Sequence, residues 1–389
     1  LEVSSVTAIP AERESLLESV RAFARKHLAE GALQRAHDPS YSWDIAKLLA
    51  RQGLLGLTIS AEDGGQGATL ADAVAVVREI AMVCPKSADI LQAGNFGAIR
   101  TFAEFGSPEQ KQRWLPGLVA GEALISLGMS EPGAGSAATE LTTTATAETR
   151  DGREGFRIDG TKIWGTHSAD ATLYLVYVRF GPGTANIGSV LVERDTEGLS
   201  VGAPSEYMSG EQWAQLYFDN CWIPSENVLL GPGGFKKQMS GFNVERIGNA
   251  SRALSVGRLA FDTARDHLLQ RTQFGRPLCE FQGLQWKFAE CAVALDAAEL
   301  LLQRAIDSAA AGLPSAYETT VAKLACNEAG FKAANEAVQA MGALGYSAES
   351  LVEYCFRRTR GWMIAGGSLE IMKNRIAEEV FGRRFSQRA

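Results

Sequence analysis

The sequence predicts a mainly α-helical protein with a central β-domain: an N-terminal helical domain over residues 1–121, a middle β-barrel over 122–231 and a C-terminal four-helix bundle over 232–389. Three observations predict this. Apolar residues recur at helical spacing up to about Gly121, short β-branched and aromatic runs replace them to about Leu230, and long helical runs return after "GPGGF", Gly231 to Phe235. A chain of 389 residues that is 46% hydrophobic and 21% charged can bury cores for two or three domains.

The N-terminal pattern begins at Pro10. In "AERESLLESVRAFARKHLAE" the residues Leu16, Val20, Phe23 and Leu28 fall roughly on one stripe. Helical runs follow at Trp43 to Gly53, Leu70 to Met82, Ile90 to Phe105 and Pro108 to Ala120. The middle segment "GFRIDGTKIWG" reads as two short strands around an Asp159-Gly160 turn, a strong hairpin signal. "ATLYLVYVRF", "IGSVLVER" and "QLYFDNCWI" continue the strands, and closing them on one another gives a small barrel. The C-terminal runs are Lys237 to Gln270, Gln282 to Ala311 and Ser315 to Met341. In the first, Ala253, Gly257 and Ala260 allow close helix–helix contact. There is no internal repeat, and the only biased stretch is the short "DSAAAG".

Composition excludes several function classes. The balance of 38 basic against 45 acidic residues gives a net charge of -7 with no basic block, so nucleic acid is not an expected partner. The six cysteines (Cys84, Cys221, Cys279, Cys291, Cys326, Cys355) form no CxxC pair and the four histidines have no ligand spacing, so neither a disulfide framework nor a metal site is expected. A reducing compartment fits: the cytoplasm of a bacterium, or the mitochondrial matrix of a eukaryote. No stretch approaches the roughly 20 apolar residues of a membrane span. The chain starts at Leu1 rather than Met, which leaves room for a removed targeting segment.

Five segments carry candidate chemistry. In "WMIAGGSLEIMKNRIAEEVFG", Gly366, Gly367 and Ser368 precede a helix-patterned run. They read as a plain turn with Ser368 as N-cap, or as a backbone site for a ligand at a helix N-terminus. "SLGMSEPGAGSAATELTT" (Ser126 to Thr143) is a loop rich in small residues that could cradle a phosphate or a polar ring edge, or merely link domains. "GTKIWGTHSADA" offers the flat face of Trp164 and the hydroxyl of Thr166, or a core tryptophan and a turn threonine. "RTQFGRPLCEFQGLQ" and "NEAVQAMGALGYS" break long helices with Arg, aromatic and Gly residues.

In order and spacing, "SEPGAGS", "DGTKIWGTHSADA", "RTQFGRPLCEFQGLQ", "AVQAMGALGY" and "IAGGSLEI" resemble five motifs of the acyl-CoA dehydrogenases, over nearly the whole chain. The resemblance implies an N-terminal helical domain, a middle β-domain and a C-terminal four-helix bundle, with FAD held between domains and subunits of a homotetramer. It implies flavin contacts from Met129 and Ser130, a pyrophosphate contact from Ser136, and Trp164 and Thr166 beside the ring. It places Arg271, Phe274, Gln339, Gly342 and, as a weaker match, Gln282 of a neighbouring subunit at the dinucleotide, with Ser368 and Glu370 near the FAD ribose and adenine. An acyl-CoA substrate and an electron-transfer flavoprotein as acceptor are implied too, in lipid or organic acid catabolism.

The chain also departs from the family. Many members carry a catalytic glutamate where Gly366 stands. A variant carries the base on the first long helix of the C-terminal bundle just before an arginine, and "GFNVERIGNASRAL" has Glu245 before Arg246 there. Glu245 shares its helix face with Gly241, Phe242, Gly248 and Asn249, so it is expected to project into room left by small residues, in a dry pocket that raises its pKa. Arg358, Ala343 and His167 are further departures, with His167 read as filling a hydrogen-bonding slot or contacting substrate.

The implied reaction is α,β-dehydrogenation of an acyl-CoA. Glu245 takes the α-proton, the β-hydride passes to flavin N5, the Gly366 N–H bonds the thioester oxygen, and Asn243 and Arg246 contact the thioester end. Two rivals keep the fold: an acyl-CoA desulfinase, which releases sulfite without net oxidation, and a catalytically silent flavoprotein.

Overall fold

The computed structural model describes residues 11–310 and 312–385. Leu1, Pro10 (where the first helical run was expected to begin) and Ala311 (where another was expected to end) lie outside the described residues. The helices before the sheet are α1 (Ala11–His27), α2 (Ala32–Ala36), α3 (Trp43–Arg51), α4 (Leu70–Ala81), α5 (Pro85–Asn95), α6 (Ala98–Phe105) and α7 (Pro108–Val119). Strands β1 (Ile125–Gly128), β2 (Thr144–Arg150), β3 (Arg153–Lys162), β4 (Leu173–Arg179) and β5 (Ile187–Glu193) follow. After them come β6 (Leu199–Val201), β7 (Ser205–Glu206), β8 (Gln212–Trp213), β9 (Leu216–Pro224) and β10 (Val228–Leu230). The C-terminal part holds α8 (Phe235–Gln270), the short β11 (Thr272–Gln273) and β12 (Arg276–Pro277), α9 (Gln282–Asp307), α10 (Ala316–Met341), α11 (Ala343–Tyr346), α12 (Leu351–Trp362) and α13 (Leu369–Val380).

The chain forms two compact units. One comprises the described residues of Leu1–Asp38, Leu70–Asp89 and Arg246–Ala389, the other Pro39–Thr69 and Ile90–Glu245.

In the first unit α10 is the central helix, packed by α9, α12 and α13. Its buried face is built from Ala322, Cys326, Ala329, Gly330, Ala333, Ala334 and Ala337. Small residues let a neighbour approach: a Cβ on Gly257 of α8 would lie 2.5 Å from the Gly330 Cα, so the expected close contact at Ala253 to Ala260 is met by α10. Buried among these helices, Asp89 is paired with Arg252 and, at 2.9 Å, with Arg358, while both guanidiniums lie over the Trp362 ring at 4.8 and 4.6 Å. Burial alone would raise the Asp89 pKa, but the two arginines hold it well below the usual carboxylate range. Arg358, a departure at the level of sequence, is thus one half of a buried ion pair.

The second unit centres on one eight-stranded sheet, in the order β10-β5-β4-β2-β3-β9-β6, with β1 added in parallel beside β4. The pairings run from β10 at one edge to β6 at the other. The core beneath it joins Leu173, Leu175, Tyr177 and Leu191 of the sheet to Phe102, Trp114, Leu115 and Leu118 of α6 and α7.

Three local expectations are corrected. The α1 stripe buries Leu17, Val20, Phe23 and Ala24, and Leu16 at its flank is only half-buried. The run expected from Ile90 to Phe105 is two helices, since Gly97 (ψ −143°) breaks it and the buried Asn95 side chain turns to bond the Leu57 amide and the Leu54 carbonyl. The hairpin turn is Asp151-Gly152, with φ of 50° and 76°, while Asp159-Gly160 lies inside the continuous strand β3 at an irregularity in its pairing with β9. Gly160 is required there, because a Cβ would lie 2.5 Å from Thr143 Oγ1.

Among the described residues no helix is long and apolar enough to cross a membrane, no cluster of ligating side chains could hold a metal ion, and all six cysteines are free.

Candidate functional site

In the sheet-bearing unit the loop after β1 is fastened from within. Glu131 is buried, and its two carboxylate oxygens accept bonds from the amides and hydroxyls of both Thr142 and Thr143, at 2.6 to 3.0 Å, and from Lys162 Nζ at 2.7 Å. Burial would raise its pKa, but the Lys162 charge and the threonine donors outweigh that and hold it down at about 2. Lys162 also reaches the Met129 carbonyl at 3.3 Å, and the Ile163 amide bonds the Ser130 carbonyl at 2.9 Å. Met129 and Ser130 are therefore fixed and half-buried, whereas Ser136 is exposed.

Beyond β3 the backbone takes two left-handed residues, Trp164 (φ 60°) and His167 (φ 58°). That geometry leaves Trp164 54% exposed, backed by Trp213 with ring centroids 4.1 Å apart and by Tyr207 at 6.2 Å. Thr166 is exposed beside it, and its carbonyl is held by the Ser126 hydroxyl at 2.8 Å. His167 is buried edge-on against Tyr41, with ring centroids 5.1 Å apart. Trp213 and Tyr207 escaped the sequence reading, because nothing in β8 or the turn before it marks them as backing for a tryptophan more than 40 residues earlier in the chain.

Glu245 lies on α8 and is half-buried rather than sequestered. Its backbone carbonyl accepts from Gln92 Nε2 at 3.4 Å. A Cβ on Gly97 would lie 3.2 Å from its Oε2, so the carboxylate uses space that this glycine leaves open. Asn243 is buried two residues before it.

In the helical unit Gly366 and Gly367 both have positive φ, 74° and 93°, and Ser368 caps α13 by accepting from the Ile371 amide at 3.5 Å. Two buried cations grip this turn. Arg246 Nε donates to the Gly366 carbonyl at 3.1 Å, and Lys323 Nζ to the Gly367 carbonyl at 2.9 Å and the Trp362 carbonyl at 3.3 Å. Arg246, expected to contact substrate, thus spends its Nε on the protein's own backbone. The amides of Gly366, Gly367 and Ser368 have no bonded partner among the described residues, so the turn presents donors. Glu370 is exposed in the first turn of α13, its pKa lowered by its own backbone amide and the Ser368 hydroxyl.

The remaining predicted residues are on the surface of the same unit. Arg271 and Phe274 belong to the β11–β12 hairpin, where Phe274 is 93% exposed at φ 53°, and Gln282 opens α9. Gln339 and Gly342 sit exposed at the end of α10, and Gly342 (φ 63°) has open space where a side chain would be.

Comparison with known proteins extends this picture. The chain matches the family profiles described as acyl-CoA dehydrogenase N-terminal domain over residues 10–122, middle domain over 126–221 and C-terminal domain over 232–381. It is 34% identical to 3-sulfinopropanoyl-CoA desulfinase of Paraburkholderia xenovorans (strain LB400), covering 97% of each chain. It is 33% identical to human mitochondrial short-chain specific acyl-CoA dehydrogenase, covering 95% of this chain and 90% of the other. Among solved structures, butyryl-CoA dehydrogenase from Megasphaera elsdenii superposes with a TM-score of 0.88 at 28% identity, over 96% of this chain and 99% of that one.

Proposed function

Because the chain belongs to the acyl-CoA dehydrogenase family, we propose that it converts an acyl-CoA thioester to the 2-enoyl-CoA with Glu245 as the base. FAD is the cofactor of this family of oxidoreductases, and the residues present fit it: an exposed indole face at Trp164, stiffened by Trp213, stands beside an exposed Thr166 hydroxyl. One observation carries the reading. The carboxylate of Glu245 lies against Gly97 in space that any side chain there would take, while position 366 holds a glycine with no carboxylate to offer.

Glu245 takes the α-proton onto its carboxylate as the substrate's α,β double bond forms. Bound FAD supplies the two-electron acceptor for the hydride that leaves the β-carbon. The Gly366 amide donates to the thioester oxygen and stabilises enolate charge developing there. Asn243 orients the thioester end, and Arg246 does so through the turn it holds. Met129, Ser130, Ser136, Trp164, Thr166, Ser368 and Glu370 would hold the cofactor within one subunit. Arg271, Phe274, Gln282, Gln339 and Gly342 would reach it from a neighbour. A homotetramer is supported by Trp286, Val293 and Leu300, exposed at heptad spacing along α9. The electrons are proposed to leave to an electron-transfer flavoprotein.

A second reading is favoured by the 34% identical relative named as a desulfinase, together with Gly366: release of sulfite from a sulfinoacyl-CoA without net oxidation. Anaerobic mixing of the holoenzyme with a panel of acyl-CoAs separates the two. Dehydrogenation bleaches the flavin and yields enoyl-CoA; desulfination yields sulfite with the flavin spectrum returning unchanged. Neither product from any acyl-CoA or sulfinoacyl-CoA would overturn both and favour the silent flavoprotein.

A further inference from the structure

We propose that Lys323 is a positioning residue for the thioester contact, its ammonium holding the Gly366–Ser368 turn with the amide donors outward. The proposal deepens the dehydrogenase reading and rests on it. Two consecutive glycines at positive φ have little preference of their own, so the orientation of the peptides they join must be imposed from outside. A trans peptide is planar and its C=O and N–H point in opposite directions. Arg246 fixes the oxygen end of the 366–367 peptide and Lys323 the oxygen end of the 367–368 peptide. The Gly367 amide is thereby turned away from Arg246 and the Ser368 amide from Lys323. The Gly366 amide belongs to the preceding peptide, joined to the held 366–367 peptide through both φ (74°) and ψ of Gly366, and falls in sequence between the two carbonyls that Lys323 holds, those of Trp362 and Gly367.

Lys323 is built for this place. It is fully buried on α10, and its own carbonyl accepts from Asn327 Nδ2 at 2.8 Å. Asn327 Nδ2 also donates to Asn249 Oδ1 at 2.9 Å, tying α10 to α8 beside the turn. A Cβ on Gly366 would lie 3.3 Å from Lys323 Cε and 3.8 Å from Asn249 Nδ2. The lysine stem therefore occupies the direction a side chain at 366 would take. The glycine and the lysine form a matched pair, in which the absent side chain makes room for the group that orients the backbone.

The test compares the holoenzyme with Lys323→Met and Lys323→Arg, using an acyl-CoA carrying a carbon-13 label at the thioester carbonyl. Difference infrared spectroscopy reads the downshift of that carbonyl on binding, and kcat, KM, flavin content and oligomeric state are measured alongside. The Met variant is expected to keep its flavin and assembly, lose at least half of the downshift, and lose about 10- to 100-fold in kcat, the cost of a misplaced donor. KM should stay within about threefold, since the interaction is made mainly in the transition state. Arg should restore most of the downshift. If Met does not fold, Lys323→Gln, which keeps a donor without the charge, should give an intermediate downshift. An unchanged downshift and kcat in the Met variant would overturn the proposal, as would equal loss of flavin and assembly in all three variants. If no acyl-CoA gives a downshift in the unmodified protein, the dehydrogenase reading itself has failed.

Discussion

In the loop from Met129 to Thr143 one buried carboxylate gathers amide and hydroxyl donors, whereas in the turn from Gly366 to Ser368 two buried cations gather carbonyls. The groups consumed differ. Glu131 consumes the amides of Thr142 and Thr143, while Lys162 and the Ile163 amide take the carbonyls of Met129 and Ser130. Arg246 and Lys323 consume carbonyls and leave amides. A loop in the first style is held by a network that is costly to break, while a turn in the second style depends on glycine and gives way by local rotation.

That contrast orders the expected effects. Glu131→Ala strands a buried Lys162 and four threonine donors, so it should destabilise the protein most, by about 3–5 kcal/mol in chemical denaturation. Loss of less than about 1 kcal/mol would mean the network is slack. Acid probes the same group. With the folded pKa held at about 2 against an ordinary 4.5, its contribution is fully present above about pH 4.5 and is lost as pH falls toward 2. The loss should be on the order of 3 kcal/mol, and Glu131→Gln should remove that part of the acid dependence of stability. In the cation-held turn, Gly366→Ala places a Cβ at φ 74° and 3.3 Å from Lys323 Cε, for about 1–2 kcal/mol by the same measurement. A fall in thioester affinity or turnover larger than this stability change would locate the effect in the turn. Lys332→Ala, which removes only the exposed pair with Glu290, should stay within about 0.5 kcal/mol.

How far the sequence reached follows from the same physics. The helix–sheet–helix order, the Ser368 cap, the positive φ at Gly366 and Gly367 and the close helix contact at Gly257 were legible, because each follows from local propensity or residue size. The two Asp-Gly pairs were not separable: both suit a turn, and only pairing of β3 with β9 decides that Asp151-Gly152 makes it. Lys323 was invisible because a helical lysine belongs by default to solvent, and its burial depends on carbonyls more than 35 residues away in sequence. Arg358 looked anomalous until Asp89, far upstream, was found to be its partner. Gly97 gave no signal either, since its role is to leave room for a carboxylate on another helix.

The central claim is that the proton-abstracting carboxylate sits at Glu245 and has no counterpart at Gly366. Anaerobic stopped-flow reduction of Glu245→Gln by the best acyl-CoA tests it directly. The account predicts that the variant binds the thioester with near-normal affinity and perturbs the flavin spectrum on binding, yet bleaches at least about 1,000-fold more slowly than the unmodified protein. Bleaching at an undiminished rate would contradict it and move the base elsewhere.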